Sequence, residues 1–135
     1  MISEEDIYYD LMDHPNADVI VSRAQKALEE EQRKRMEFRE WLSPSVKAEF
    51  INGETIIHSP NKRGHLEVSE NAHLILSLFV RKRGLGKVSY EKALVEIGRN
   101  DFEPDLCFWE TEKTKDWDED TMIHPVPNQG GVALI

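Results

Sequence analysis

The spacing of apolar and polar side chains changes period twice along this chain. From about Val21 to Leu42 every residue suits a helix, and three consecutive pairs place an acid four residues before a base: Glu29–Arg33, Glu30–Lys34 and Glu31–Arg35. Each such pair stabilises an exposed helix by about 0.2–0.5 kcal/mol. Apolar side chains gather at the two ends, Val21, Ala24 and Leu28, then Met36, Phe38, Trp41 and Leu42. The pattern predicts an outer helix that packs through its ends and turns a charged middle to solvent. Residues 1–19, punctuated by His14-Pro15, are expected to form a loosely ordered lead-in.

Beyond Ser43-Pro44 the period shortens. Residues 47–58 predict two strands around Asn52-Gly53, a dipeptide suited to a type I′ turn because both positions need positive φ. That register sets Glu49 opposite Ile56 and Ile51 opposite Glu54, with His58 diagonal to Glu49. Periodicity assigns Phe50 and Ile57 to the core face and leaves Glu49 on the solvent face, since a carboxylate on an apolar face is costly unless paired or given a task. Ser59-Pro60 then opens a second helix. It reaches about Arg83 and stops at Gly84. Val68, Ala72, Ile75, Leu76 and Phe79 give it the spacing of a buried stripe. Residues 87–97 alternate in part and predict a strand, and Gly98–Asp101 a turn. A short apolar strand over 103–109 is entered by Pro104, where the missing N–H costs no ladder bond. Residues 110–121 are expected to be a polar surface loop.

Composition narrows the class. At 135 residues, 39% hydrophobic and 32% charged, the chain fits one core-forming domain. Its longest apolar run, Leu74–Val80, is too short to cross a bilayer. The acidic start carries no secretory pattern, so a cytoplasmic location with no membrane partner is expected. One cysteine, Cys107, excludes an internal disulfide. The net charge of −9 argues against nucleic-acid binding. Residues 43–98, however, have 8 bases to 6 acids. Those bases include Lys62, Arg63, Arg81, Lys82, Arg83 and Lys87, the one cluster that would accept a polyanion.

Asp105 is the candidate for chemistry. It follows a proline at the mouth of an apolar strand, where rigid backbone holds a carboxylate suited to a hard cation such as Mg²⁺. One carboxylate does not make a metal site, and a metal-dependent hydrolase needs a second plus a group that orients or deprotonates water. The ordered features Glu49–Pro60, His65 and Glu103-Pro104-Asp105-Leu106 together resemble the Uma-two restriction-endonuclease family, prokaryotic proteins of the PD-(D/E)xK nuclease superfamily, over residues 41–127. The resemblance implies an α/β (α+β) fold, a restriction-endonuclease-like mixed sheet with a core helix. Here it follows a lead-in and charged helix (1–42), fills 43–127, and ends in an atypical tail (128–135). By the same resemblance Asp105 is the metal-binding aspartate, Glu49 a second acid at the metal, and His65 the helix-opening histidine of the catalytic set. Mg²⁺ is the implied cofactor and DNA the implied partner.

The tail departs from the family. Asn128 stands where an aspartate is expected and Val132 at or near the expected glutamate. No acid follows Asp120 and no lysine follows Lys115. The (D/E)xK motif is missing, so the sequence predicts a core incomplete at its C-terminus and a nuclease-family chain of little or no activity, as from a truncated gene. The alternative is a non-catalytic interaction module, or a degenerate remnant, that forms homo-oligomers through an open sheet edge.

Overall fold

The structure, a computed structural model, describes residues 1–59, 63–90, 93–115, 117, 123–125 and 132–134. For Arg63, His65, Tyr90, 123–125 and 132–134 it describes the backbone alone. The lead-in is more ordered than expected. Ser3 caps helix α1 (Glu4–Met12) in a reciprocal capping box with Asp6, which satisfies two backbone donors at the helix start. Helix α2 (Ala17–Trp41) then begins earlier than the apolar pattern suggested.

Strands β1 (Ala48–Ile51) and β2 (Glu54–Ile57) form the hairpin, with Glu49 opposite Ile56 and Ile51 opposite Glu54. Asn52 and Gly53 both hold positive φ, 50° and 83°. Helix α3 (Arg63–Arg83) leads to β3 (Gly86–Tyr90). The remaining strands are β4 (Leu94–Ile97), β5 (Asn100–Phe102), β6 (Leu106–Glu110), β7 (Ile123–Pro125) and β8 (Val132–Leu134), with a 3₁₀ turn at Thr111–Thr114 after β6.

Two sheets result. One is mixed, in the order β2-β1-β5-β4-β7, with only β4 and β7 parallel. The other is antiparallel, in the order β3-β6-β8. Residues 87–97, expected as one strand, are therefore divided between two sheets. At Gly86 the chain runs so close to β6 that an added Cβ would lie 1.9 Å from the Trp109 carbonyl oxygen. Only glycine permits that approach.

The core also lies elsewhere than the sequence predicts. Phe38 of α2 packs on Ala48, Phe50 and Leu94, while Ala93, Val95, Cys107 and Trp109 form a second cluster under Trp117. Burial pushes the Cys107 thiol up to about 12. Phe50 is buried as expected, but Ile57 on the edge strand β2 is 62% exposed. The predicted α3 stripe is not the buried one. Val68 and Ile75 are 69% and 68% exposed and Phe79 is exposed too, whereas Ser69 and Val80 are buried and Ala72, His73, Leu76 and Ser77 partly so. The inward face carries Ser69, Ala72, Leu76, Ser77 and Val80, only two of them from the predicted stripe, while Val68, Leu74, Ile75, Leu78 and Phe79 point outward.

Helix α2 packs through its C-terminal half alone, and its charged stretch divides. Arg33 lies in solvent between Glu30 (2.5 Å) and Glu37. Arg35 turns inward: instead of pairing with Glu31 it donates to Asp101 at 2.6 Å and to the carbonyls of Gly98 and Asn100 at 3.1 and 3.0 Å. Arg39 donates to both Asp101 oxygens at 2.7 Å and pairs with Glu96. Asp101 is fully buried. Burial raises its pKa, but hydrogen bonds from Arg39 and Arg35 outweigh that and hold it below the ordinary aspartate value.

Candidate functional site

Glu49 and Asp105 lie on two neighbouring segments, β1 and the stretch that joins β5 to β6. Phe50 pairs with Asp101, so continuing the antiparallel register brings Glu103 beside Ala48 and Pro104 beside Lys47. Pro104 has no N–H to give, and the ladder stops there. Side chains replace it. Glu103 is buried, and its Oε2 accepts from the Ala48 amide at 3.0 Å. The Glu103 amide in turn donates to Glu49 Oε1 at 3.0 Å.

Lys47 stands one residue before β1 and two before Glu49, and the pairing with β2 continues through its carbonyl, so the two side chains project the same way. The Lys47 ammonium pairs with Asp105 Oδ1. Both groups are partly open to water, the Asp105 side chain being 27% exposed. His58 extends β2 by one residue: its amide donates to the Lys47 carbonyl at 2.8 Å. Its ring Nε2 lies 3.0 Å from Glu49 Oε2, the diagonal neighbour the hairpin register requires. The outcome is a continuous polar strip, His58–Glu49–Glu103 amide, with Lys47–Asp105 beside it, along one rim of the mixed sheet.

Several residues of this strip escaped sequence reasoning. The (D/E)xK motif would place a lysine on a later strand, whereas Lys47 stands two positions before Glu49, where period-two spacing alone places it on the same face. Glu103 belonged to the motif but had no role of its own. His65 opens α3 two residues after Arg63, and its side chain is outside the described residues, as are Lys62, Asn128 and the Arg63 side chain. Arg81, Lys82, Arg83 and Lys87 are all exposed. They gather at the far end of α3 and the start of β3, not on the rim beside Asp105. Of the tail, residues 132–134 form β8 along β6, with Val132 opposite Trp109.

Among the described residues no group of three or more His, Cys, Asp or Glu side chains has the geometry of a preformed metal cage. A smaller oxygen site does fit this strip. Mg²⁺ typically uses one or two protein carboxylates and fills its remaining positions with water and phosphate oxygen. Asp105 and Glu49 supply such carboxylates, part-exposed and fixed by neighbours. No described helix is long and apolar enough to cross a membrane.

Comparison with known proteins agrees with this architecture. No curated protein matches the chain. Among solved structures, "a putative nuclease belonging to DUF820" from Anabaena variabilis ATCC 29413 superposes with a TM-score of 0.55 at 12% identity, over 65% of this chain and 49% of that one. The chain thus spans about half the length of that protein, and the likeness shows a shared nuclease-like α/β fold. The Uma2 family, described as "Putative restriction endonuclease", matches residues 31–128, well over half of the chain and all of the polar strip. The chain belongs to the Uma2 family.

Proposed function

We propose that this protein hydrolyses DNA phosphodiesters with a Mg²⁺ ion held by Asp105 and Glu49. The observation that carries this reading is the pairing of Lys47, two residues from Glu49, with Asp105. Held by these carboxylates, such an ion would supply Lewis-acid charge stabilisation. The chain's own residues do the rest. Glu103 ties the Pro104 segment to β1 and so fixes where Asp105 stands. His58 orients Glu49 through Nε2. Lys47 neutralises Asp105, and its ammonium would be available to a phosphate oxygen if a cation took that carboxylate. Turnover is expected to be slow, because two carboxylates and one lysine are a small set and catalytic groups act as a unit.

The test is plasmid cleavage in Mg²⁺ or Mn²⁺, with cation binding followed in parallel by calorimetry. Asp105→Ala should abolish cleavage and weaken binding. Cleavage that persists equally in that variant refutes the assignment. A second reading, a module that self-associates, is favoured by the exposed Val68, Leu74, Ile75, Leu78 and Phe79 of α3. Under that reading a discrete oligomer forms on raising concentration, with no cation or DNA binding.

A further inference from the structure

A cavity of about 500 Å³ lies between the C-terminal turns of α3 and strand β3, lined by Ser77, Val80, Arg81, Gly86–Ser89 and Trp117. That size suits a small molecule or one unit of a polymer. Its chemistry is unusual for a chain of net charge −9. The described lining holds two cations, two hydroxyls and an indole, and no acid. Arg81 at a helix C-terminus has a plain electrostatic reason to be there. Lys87 does not share it, since it lies on a strand, directly opposite Trp109.

The indole is held for contact. Trp117 meets Trp109 edge-on, with ring centroids 4.9 Å apart at 74°, so Trp109 holds the ring by edge contact rather than by stacking on its face. The Lys87 ammonium lies 5.7 Å from the Trp117 centroid, over the ring, so a positive charge and an aromatic surface are already side by side. Among the described residues β3 is the outer strand of its sheet.

We propose that this cavity binds a single unpaired nucleotide, its base stacked on Trp117 and its phosphate held by Arg81 and Lys87. Base stacking on an aromatic side chain tolerates any sequence, and Arg and Lys supply the salt-sensitive phosphate contact. Lys87 lies opposite Trp109, four residues beyond Asp105 on β6, so its backbone stands about 13 Å along that strand from the candidate scissile site. The inference rests on the nuclease reading only for what the bound strand is used for. With that reading it makes the substrate a strand with an unpaired segment rather than uniform duplex.

The experiment is calorimetric titration of the full chain, without divalent cations, using deoxyadenosine monophosphate, deoxyadenosine, inorganic phosphate, a single-stranded oligonucleotide and the matching duplex. Deoxyadenosine monophosphate should bind at least tenfold more tightly than deoxyadenosine or inorganic phosphate alone, and the single strand more tightly than the duplex. Lys87→Gln and Arg81→Gln, both at exposed positions, should each weaken nucleotide binding several-fold. Trp117→Leu should weaken it about tenfold, and Trp117→Phe should restore most of the loss. Equal binding of phosphate and nucleotide overturns the proposal, as does duplex preference or binding indifferent to Lys87→Gln. Asp105→Asn separates the two readings. Nucleotide binding that survives it supports a distinct pocket even if plasmid cleavage fails to depend on Asp105, and binding lost with it overturns that distinction.

Discussion

Asp101 and Asp105 lie four residues apart on the same stretch of chain, each faces a cation from an earlier element, and they have opposite fates. Asp101 is 0% exposed and meets two arginines of α2, which also reach Glu96 of β4. Asp105 meets Lys47 at a part-exposed rim. A sealed carboxylate with two guanidinium partners is committed: its charge is spent on holding elements together and cannot be lent to a ligand. A half-open carboxylate opposite a flexible ammonium can exchange that partner for another cation. Burial, not residue type, separates architecture from chemistry here.

Removing Asp101 should give the largest effect. Asp101→Ala leaves Arg35 and Arg39 without their shared partner, and breaking such a buried pair costs about 3–5 kcal/mol, measurable as a lowered urea midpoint. Glu103→Ala falls between the two aspartates. It strands the Ala48 amide and should cost about 1–3 kcal/mol, read by the same titration. Asp105→Asn should cost less than about 1 kcal/mol, in line with part-exposed ion pairs, yet abolish cation-dependent cleavage. If it destabilises as much as Asp101→Ala, the contrast between the two positions fails.

Acid offers a check without mutation. The Asp101 pKa is depressed in the folded state, so its stabilisation is full above the unfolded aspartate value of about 3.9 and is lost as pH falls through the lower folded value. Wild type should therefore lose stability below about pH 4, and Asp101→Ala should lose less over the same range. The smallest effect is expected at the solvent-exposed Arg33. Arg33→Ala removes the bridges to Glu30 and Glu37 and should leave the thermal unfolding midpoint almost unchanged.

The hairpin was legible because Asn52-Gly53 fixes a turn, a turn fixes a register, and register fixes which side chains are neighbours. Glu49 opposite Ile56 and diagonal to His58 follows from that alone. The ordered motifs were likewise enough to reach the family. The buried face of α3 was not legible. Apolar spacing identifies a stripe, but which stripe turns inward depends on what packs against the helix, and β3 meets the side carrying Ser69, Ser77 and Val80.

Sequence by itself thus determined the local elements whose signals lie within a few residues of one another: the hairpin, both long helices, the proline-led entry to β6 and the presence of Asp105 and Glu49. Only the tertiary structure decided that Arg35 and Arg39 turn inward, that Lys47 meets Asp105, and that Arg81, Lys87 and Trp117 share a cavity. Those pairings join residues separated by tens of positions. No local periodicity encodes them, because they arise from how strands are ordered into sheets and from which charges can be desolvated together.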